Sequence, residues 1–354
     1  MITVNITPSN QRYIDAIISR FKKYSDINLT TCGEWGVNYI QAIPEIIKGK
    51  PDLLHIQWPE SALGGLESYE DKFKFIDDLE EQFKKLKESN IKIIWTQHNI
   101  LPHDRHEDIF FQQLYELYSQ YANGLIHHSN WGKKYFHETY QSNALDAVIR
   151  HGAFADEAIY FDSTDKARLE LNFDPQKRIF LTLGGVKEYK NTIELLECFE
   201  NRQKTQDFLV ICIKDKDSNP YRRKAFDLAT KLNNVRVFDG FMDAENLAIY
   251  ARASDAFIFA YGESSLTSGS PHLSQAHGIP QITLRSPYSE EVMGEAGLFF
   301  NPEPSITEGL YQYMEALDNE KLSKAKKYFE SIPSDYQWDT IAKQTFDFYQ
   351  EVLK

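Results

Sequence analysis

Cysteine is scarce in this sequence, which contains only Cys32, Cys198 and Cys212 among its 354 residues. The three are far apart and show none of the paired spacing of structural zinc sites. Secreted proteins often depend on disulfides, whereas proteins of reducing compartments do without them. The opening segment Met1–Ile6 alternates like a strand and lacks the basic and apolar regions of a signal peptide. We therefore expect a cytoplasmic protein.

Long apolar runs and excess positive charge are also missing. No run approaches the roughly 18 apolar residues of a membrane-spanning helix. Lysine and arginine number 39 against 52 aspartates and glutamates, which gives a net charge of −13. Binding to nucleic acid requires clustered positive charge, and so does broad docking on anionic lipid. We expect no nucleic-acid partner and, at the inner leaflet of a membrane, a local peripheral contact at most.

Strand-like and helix-like segments alternate along the chain, which predicts an α/β fold with parallel sheets. Hydrophobic residues make up 42% of the sequence, enough for sizeable cores, and its length suits two domains. We predict two Rossmann-like, doubly wound domains, 1–158 and 159–336, facing each other across a cleft. The amphipathic segment 337–354 is either an ordinary terminal helix or one that crosses back onto the first domain.

Hydrophobic periodicity assigns the individual elements. Strands are predicted at 2–6, 52–57, 91–96, 123–127, 146–150, 178–183, 207–213, 235–238, 256–261 and 280–284. Helices are predicted near 10–24, 70–88, 107–121, 130–139, 191–203, 219–232, 244–253, 270–277 and 305–318. In a doubly wound sheet, ligands bind outside the carboxyl ends of the strands, so we expect the binding residues in the loops that follow the predicted strands.

The most informative loop is 262–271, Gly-Glu-Ser-Ser-Leu-Thr-Ser-Gly-Ser-Pro. It lies between an apolar strand and a helix start, so several backbone N–H groups and hydroxyls meet at one helix N-terminus. Such a terminus is a ready anion site. The plainer interpretation is a serine-rich turn with an N-cap. We assign anion contacts there to Ser265, Thr267, Ser268 and Gly269.

A second loop, 183–191, repeats this arrangement with two lysines. Lys187 and Lys190 follow strand 178–183 and precede a helix, and neither falls on an apolar period. Lysine is a compact charge suited to phosphate oxygens. Two such loops in one half of the chain indicate a diphosphate-bearing ligand, although two solvated loop lysines would give the same pattern.

In the first half, polar side chains follow strand 91–96, among them His98, Asn99, His103 and Asp104. His98 is suited to contact a sugar hydroxyl or a phosphate, and Asp104 to accept a hydroxyl proton as general base. The alternative is a polar loop in which Asp104 caps the next helix. The histidines here lack the spacing of a zinc pair on a helix, so we expect no metal.

Trp58 and Glu60 flank Pro59, which ends strand 52–57 and turns both toward the same edge as His98. Trp58 is suited to stack on a sugar face; alternatively, it fills space between layers. His127 and His128 point to opposite faces of a later strand, and we assign them no role.

Several segments together resemble the bacterial glycosyltransferases of the GT-B fold, close to family 4 and to enzymes of exopolysaccharide and capsular polysaccharide synthesis. The order of these segments, spread over nearly the whole chain, carries the resemblance. They are 54–60, 95–103, 183–191, 268–270 with 278–280, and the terminal helix at Trp338.

The resemblance implies a nucleotide-sugar donor in the C-terminal domain and an acceptor in the N-terminal domain. The family's basic pair for the donor diphosphate falls on Lys187 and Lys190, with Gly185 in place of the usual arginine. The family's histidine near the donor sugar falls on His98. Acceptor contacts are assigned to Asn10, Trp58 and Asn99.

The chain departs from the family at one point. Many members carry two glutamates eight positions apart around the glycine-rich loop, and these positions hold Ser265 and Leu273. Glu263 is the acid nearest to the first position, and Glu290 is an alternative contact for the donor's ribose or sugar hydroxyls. The second acid is therefore missing, which leaves retention or inversion of the anomeric centre open.

The expected function is metal-independent transfer of a sugar from a UDP- or GDP-linked donor, with no cofactor. The resemblance implies an acceptor hydroxyl on a glycan or lipid-linked oligosaccharide, in surface polysaccharide biosynthesis. With inversion, Asp104 or Glu60 would take the acceptor proton; with retention, His98 and the donor phosphate become central. The alternatives are a nucleotide-sugar epimerase of the same fold and a non-catalytic sugar-binding subunit, which the missing acid keeps open.

Overall fold

The computed structural model describes residues 1–9, 11–34, 39–63, 66, 68–100, 109–154, 163–261, 266–294, 297–329 and 333–354. These residues form two compact units. Unit 1 comprises the described residues of 1–152, 266–267 and 334–354, and unit 2 those of 153–263 and 268–333. None of the described helices combines the length and the hydropathy needed to cross a membrane.

Unit 1 is built on a six-stranded parallel sheet. The strands are β1 (Ile2–Thr7), β2 (Ile27–Thr31), β3 (Leu53–Ile56), β4 (Lys92–Gln97), β5 (Gly124–His127) and β6 (Leu145–Val148). They lie in the order β2-β1-β3-β4-β5-β6. The helices described in this unit are α1 (Arg12–Phe21), α2 (Ile43–Gly49), α3 (Tyr69–Glu88), α4 (Ile109–Tyr121), α5 (Asn130–Thr139) and α14 (Trp338–Val352).

Unit 2 contains a second six-stranded parallel sheet. Its strands are β7 (Arg178–Thr182), β8 (Asp207–Ile213), β9 (Val235–Asp239), β10 (Ala256–Phe259), β11 (Gln281–Leu284) and β12 (Leu298–Phe300). They lie in the order β12-β11-β10-β7-β8-β9. The helices described here are α6 (Thr164–Glu170), α7 (Thr192–Glu200), α8 (Pro220–Ala229), α9 (Ala244–Ala253), α10 (Gly269–His277), α11 (Pro287–Met293), α12 (Ile306–Glu315) and α13 (Asn319–Phe329).

Both cores are layers of apolar side chains between a sheet and its helices. The central strands β3 and β10 are buried at every position, which is typical of parallel sheets covered on both faces. In unit 1, Phe83 and Trp95 belong to the cluster under α3 and α4. In unit 2, Phe180 and Phe199 hold the equivalent place under α7. Burying one such side chain contributes about 1.5–3 kcal/mol.

Helix α14 is an integral part of unit 1 and packs along α1. Its inward face, which includes Ile341 and Tyr349, is fully buried. A glycine is needed where the chain meets the start of this helix, because a Cβ on Gly152 would lie 2.4 Å from the Trp338 ring. At the outer side, Asp339 forms ion pairs with α1 and the residues after it.

The structure adds elements that the periodicity of the sequence did not predict. The strand β2 was missed because only Ile27 of its residues is buried, so no apolar run marks it. The strand β12 was missed because it is a three-residue edge strand. The helices α2, α6, α11 and α13 were also not predicted. The predicted domain boundary at 158/159 lies outside the described residues.

Candidate functional site

The strand order of unit 2 fixes where a ligand would bind. From β7 the chain continues to β8 on one side of the sheet and later returns to β10 on the other. Loops that leave β7 and β10 in opposite directions open a crevice at their carboxyl ends, and ligands of doubly wound sheets bind there. The two loops selected from the sequence, 183–191 and 262–271, follow these two strands.

The loop after β7 depends on two residues in the left-handed region. Gly184 has φ +97°, and a Cβ there would lie 2.8 Å from Lys190 Nζ, so only glycine fits. Asn191 has φ 51° and begins α7. Its side-chain Nδ2 donates to the carbonyl of Ala260, at 2.6 Å, directly after β10. The loop is thus fixed to the end of the neighbouring strand.

Lys190 is the half-buried cation of this loop. Its Nζ lies 5.2 Å from the ring centre of Tyr261 and 5.8 Å from that of Tyr189. Burial, together with the nearby charge of Lys187, lowers the pKa of Lys190 to about 8. Among the described residues, no carboxylate pairs with it. Lys190 also lines a small pocket with Thr182, Leu183, Gly184, Gly185, Val186, Thr192, Leu195, Ile211, Cys212 and Tyr261.

Lys187 differs from Lys190 in its surroundings. It is exposed, and its Nζ lies 5.8 Å from the centre of the Tyr189 ring. The two lysines therefore share one aromatic neighbour, but only Lys190 is partly buried. The sequence predicted the same role for both lysines, whereas in the structure Lys190 is half-buried and Lys187 is exposed.

The N-terminus of α10 adjoins this loop through Tyr261. Ser268 caps the helix and accepts a hydrogen bond from the Ser270 N–H at 3.3 Å. The Ser270 hydroxyl lies 3.0 Å from that of Ser268 and also bonds Tyr261. Nothing lies within 4 Å of the place where a Cβ of Gly269 would sit. A cation and a helix N-terminus, which favours negative charge, therefore lie at the ends of neighbouring strands.

Two further predicted positions on unit 2 have other partners. Leu273, at the position of the missing acid, is part of the apolar cluster beneath α9. Glu290 is half-exposed and forms an ion pair with Arg285, which also donates to Asn301 Oδ1 at 3.2 Å. No described contact joins Glu290 to Lys190 or to the start of α10.

Arg222 is a basic residue of this edge that sequence reasoning did not assign to the ligand. It stands in the first turn of α8, and its Nε donates to the carbonyl of Val186 at 3.2 Å. Its Nη1 donates to the Ser218 hydroxyl at 2.9 Å. Arg222 thus holds the loop that carries Lys187 and Lys190. The available signal was a basic residue just after the N-cap that follows β8.

At the carboxyl edge of unit 1, aromatic rings surround Tyr13 of α1. Ring centres at 5.1–6.3 Å from that of Tyr13 belong to Trp58, His98, His128, His151 and Trp338. His128 faces this cluster, whereas its neighbour His127 faces Phe136 of α5 on the opposite side of the sheet. The opposite orientations predicted for the two histidines are confirmed.

His98 and Trp58 are stacked, with ring centres 4.1 Å apart and planes 19° from parallel. Burial, reinforced by His128, His151 and His55, holds the pKa of His98 well below its usual value. The imidazole is therefore neutral at physiological pH. His98 Nε2 lies 2.9 Å from Gln57 Oε1.

Glu60 and Asn99, which were predicted separately, are hydrogen-bonded to each other. Asn99 Nδ2 donates to Glu60 Oε1 at 3.0 Å, and the Tyr115 hydroxyl donates to Oε2 at 3.1 Å. Burial raises the pKa of Glu60, while these two donors oppose the rise. Both oxygens of Glu60 are thus engaged inside unit 1.

Four predicted site residues lie outside the described residues, namely Asn10, Asp104, Glu263 and Ser265. Thr267 is described and directly precedes the cap of α10. Within unit 1 the structure therefore brings together Trp58 with His98 and Glu60 with Asn99. Within unit 2 it places Gly185, Lys187 and Lys190 in one loop and Ser268 and Gly269 at the start of α10, and Tyr261 links the two through Lys190 and Ser270.

No protein-family model matches the chain, and no curated protein sequence matches it either. Solved structures do match it along its whole length. Sucrose-phosphate synthase from Thermosynechococcus elongatus is 13% identical with a TM-score of 0.72, and 99% of each chain is covered. HepE from Anabaena, in complex with UDP and glucose, is 13% identical with a TM-score of 0.71, covering 99% of this chain and 100% of HepE. A glycosyltransferase from Rickettsia africae is 14% identical with a TM-score of 0.68, covering 100% and 98%.

At sequence identities this low, structural similarity shows a shared fold alone. The present chain has two parallel six-stranded sheets with flanking helices, and the structures that match it over its full length are glycosyltransferases of the GT-B fold. The GT-B fold predicted from the sequence is therefore confirmed.

Proposed function

We propose that the chain is a glycosyltransferase that moves a sugar from a nucleoside-diphosphate sugar to a hydroxyl of a glycan or lipid-linked acceptor. The setting of Lys190 carries this proposal. A half-buried ammonium without a carboxylate partner among the described residues is costly, unless a ligand supplies the anion. Its place at the switch point of the sheet, beside the N-terminus of α10, suits a diphosphate.

The fold supports the choice of donor class. HepE, a structural neighbour, was solved with UDP and with UDP-glucose. We therefore take a UDP-linked sugar as the first donor to test and a GDP-linked sugar as the second. From the resemblance alone, we propose that the acceptor belongs to surface polysaccharide synthesis, in the cytoplasm at the inner leaflet.

The chemistry we propose is stabilisation of the leaving nucleoside diphosphate. As the bond to the anomeric carbon breaks, negative charge grows on the diphosphate, and Lys190 and the backbone N–H groups at the start of α10 are suited to neutralise it. We propose that no resident metal is needed for this step. Glu60, whose oxygens hold Asn99 and Tyr115, is assigned to positioning Asn99 rather than to proton transfer.

The test begins with nucleotide binding. Thermal unfolding is measured with UDP, GDP, ADP and CDP, and the matching nucleotide is expected to stabilise the protein by about 2.7 kcal/mol at a hundred times its Kd. The matching nucleotide sugar is then incubated with and without acceptor glycans, in excess EDTA. Transfer in EDTA supports the proposal, whereas an epimerised sugar in the donor-only sample indicates the epimerase. If none of the four nucleotides shifts the unfolding temperature, the proposal is wrong.

Gly184→Ala is expected to weaken binding of the matching nucleotide about tenfold, or 1.4 kcal/mol. The new methyl group would strain a left-handed backbone and displace the Lys190 ammonium, which lies 2.8 Å from its position. Isothermal titration calorimetry measures the affinity. Gly240→Ala is the control for backbone strain, because Gly240 also has a positive φ, +119°, and a Cβ there meets nothing within 4 Å and does not displace Lys190. Unchanged affinity in Gly184→Ala would contradict the assignment of this loop.

A further inference from the structure

We infer that helix α14 sets the tautomer of His98 through a chain of buried hydrogen bonds inside unit 1. The chain runs from Tyr349 through His55 and Gln57 to His98, with Thr96 bonded to His55. All five side chains are at most 5% exposed, so water does not compete for these bonds. Tyr349, His55 and Gln57 are positioning residues in this scheme, because they act on His98 rather than on a substrate.

The direction of the chain follows from the orientation of the Gln57 carboxamide in the structure, in which the nitrogen, which can only donate, faces His55 and the oxygen, which can only accept, faces His98. Gln57 Nε2 lies 3.0 Å from His55 Nε2, so this His55 nitrogen accepts. The same nitrogen lies 2.7 Å from the Thr96 hydroxyl, so the Gln57 amide and this hydroxyl share its single lone pair in a three-centre hydrogen bond. Burial lowers the pKa of His55 to about 3, and its ring is neutral. The His55 proton therefore sits on Nδ1, which donates to the Tyr349 hydroxyl at 2.6 Å.

At the other end, Gln57 Oε1 accepts from His98 Nε2 at 2.9 Å. His98 thus carries its proton on Nε2, and its Nδ1 is an unprotonated acceptor. No partner for Nδ1 is found among the described residues. The sequence left two roles open for His98, contact with a sugar hydroxyl or with a phosphate. A neutral ring that presents an acceptor nitrogen fits a hydroxyl donor and would repel a phosphate oxygen.

Tyr349→Phe is expected to change the tautomers of both His55 and His98, although Tyr349 does not contact His98. Without the hydroxyl, the His55 Nδ1 proton has no acceptor, so His55 is expected to move its proton to Nε2 and donate to Thr96. That proton then faces the Gln57 amide hydrogens and repels them, so the amide turns over. The turned amide donates to His98 Nε2, and His98 moves its proton to Nδ1.

The tautomers are measured on the full chain without ligand, by long-range ¹H–¹⁵N correlation of ¹⁵N-histidine-labelled protein. The His98 signals are assigned by their loss in His98→Gln. The native protein is expected to show the Nε2–H form, and Tyr349→Phe a majority of the Nδ1–H form. Gln57→Leu, which removes both the donor and the acceptor, is expected to leave His98 without a fixed tautomer.

Thr345→Val is the matched control. Thr345 is a buried residue of the same helix, and its hydroxyl donates within the helix to the carbonyl of Ile341. This variant is expected to keep the native His98 spectrum. The inference is overturned if the native protein shows the Nδ1–H form, or if Tyr349→Phe is folded and its His98 spectrum equals that of the native protein.

The consequence for turnover rests on the proposed function. Tyr349→Phe is expected to lower kcat of sugar transfer at least about tenfold, as loss of a correctly protonated group does, with little change in the KM of the donor. The two measurements keep the failures apart. A tautomer change without any transferase activity in the native protein refutes the proposed function alone, whereas normal transfer with an unchanged tautomer in Tyr349→Phe refutes this inference alone.

Discussion

Lys190→Ala is expected to lower kcat/KM for the nucleotide sugar at least thirtyfold, about 2 kcal/mol of transition-state stabilisation from one charge-assisted contact. The Lys190 side chain is half-buried beside Tyr189 and Tyr261. Water that fills its place in Lys190→Ala would therefore stabilise the negative charge of the diphosphate less well than the ammonium does. Steady-state kinetics with the matching donor measure the effect. Lys187→Ala is expected to lose less, because Lys187 is exposed and its charge is screened by solvent.

Lys321→Ala provides the control for loss of a lysine in unit 2. Lys321 is exposed, and its ammonium donates to the carbonyl of Ala316 after α12. Its removal is expected to leave kcat/KM unchanged. Turnover of Lys190→Ala within threefold of the Lys321→Ala value would contradict the placement of the diphosphate.

The lowered pKa of Lys190 adds a pH signature to this prediction. With a pKa of about 8 in the free protein, Lys190 carries its charge below pH 8 and loses it above. A bound diphosphate favours the charged form, so nucleotide affinity is expected to be highest below pH 8 and to fall as the pH rises to 9. Lys190→Arg is expected to bind with little change over this range, because a guanidinium stays charged.

The sequence predicted those parts of the site that depend on local pattern. Lys187, Lys190 and Ser268 follow apolar strands and precede helices, and this arrangement is visible in any single stretch of the chain. Trp58 and His98 were placed at one edge for the same reason, and they are stacked in the structure. The two doubly wound domains followed from the repeated alternation of strands and helices, and the GT-B assignment followed from the resemblance of several segments to that family.

Contacts between residues distant in sequence could not be predicted in this way. Tyr349 reaches His55 across 294 positions, and Asn191 reaches Ala260 across 69. Nothing in the local pattern of Gln57 marks it as the link between two histidines. The edge strand β2 was not predicted for a different reason. Four of its five residues are at least partly exposed, so no run of apolar residues marks it in the sequence.

The carboxylate of Asp207 holds two arginines at the end of the sheet opposite to Lys190. It stands at the start of β8, is fully buried, and accepts from Arg178 Nε at 2.6 Å and from Arg202 at 2.5 Å. Arg202 is itself only 2% exposed and also pairs with the half-exposed Glu315 of α12. A buried guanidinium that loses its carboxylate keeps its desolvation cost without the compensating attraction.

Asp207→Ala is therefore expected to lower the free energy of unfolding by about 3–5 kcal/mol. Glu315→Ala, which removes the exposed partner of the same arginine, is expected to cost no more than about 1 kcal/mol. Urea unfolding followed by circular dichroism compares the two, and equal midpoints would refute the ranking. Asp207 stands at the amino end of β8, whereas the lysine loop follows the carboxyl end of β7. The fraction of Asp207→Ala that remains folded is therefore expected to bind nucleotide with native affinity. Lys190→Ala, in contrast, is expected to have the native free energy of unfolding and to bind nucleotide poorly. The two variants thus separate the stability of unit 2 from its proposed chemistry.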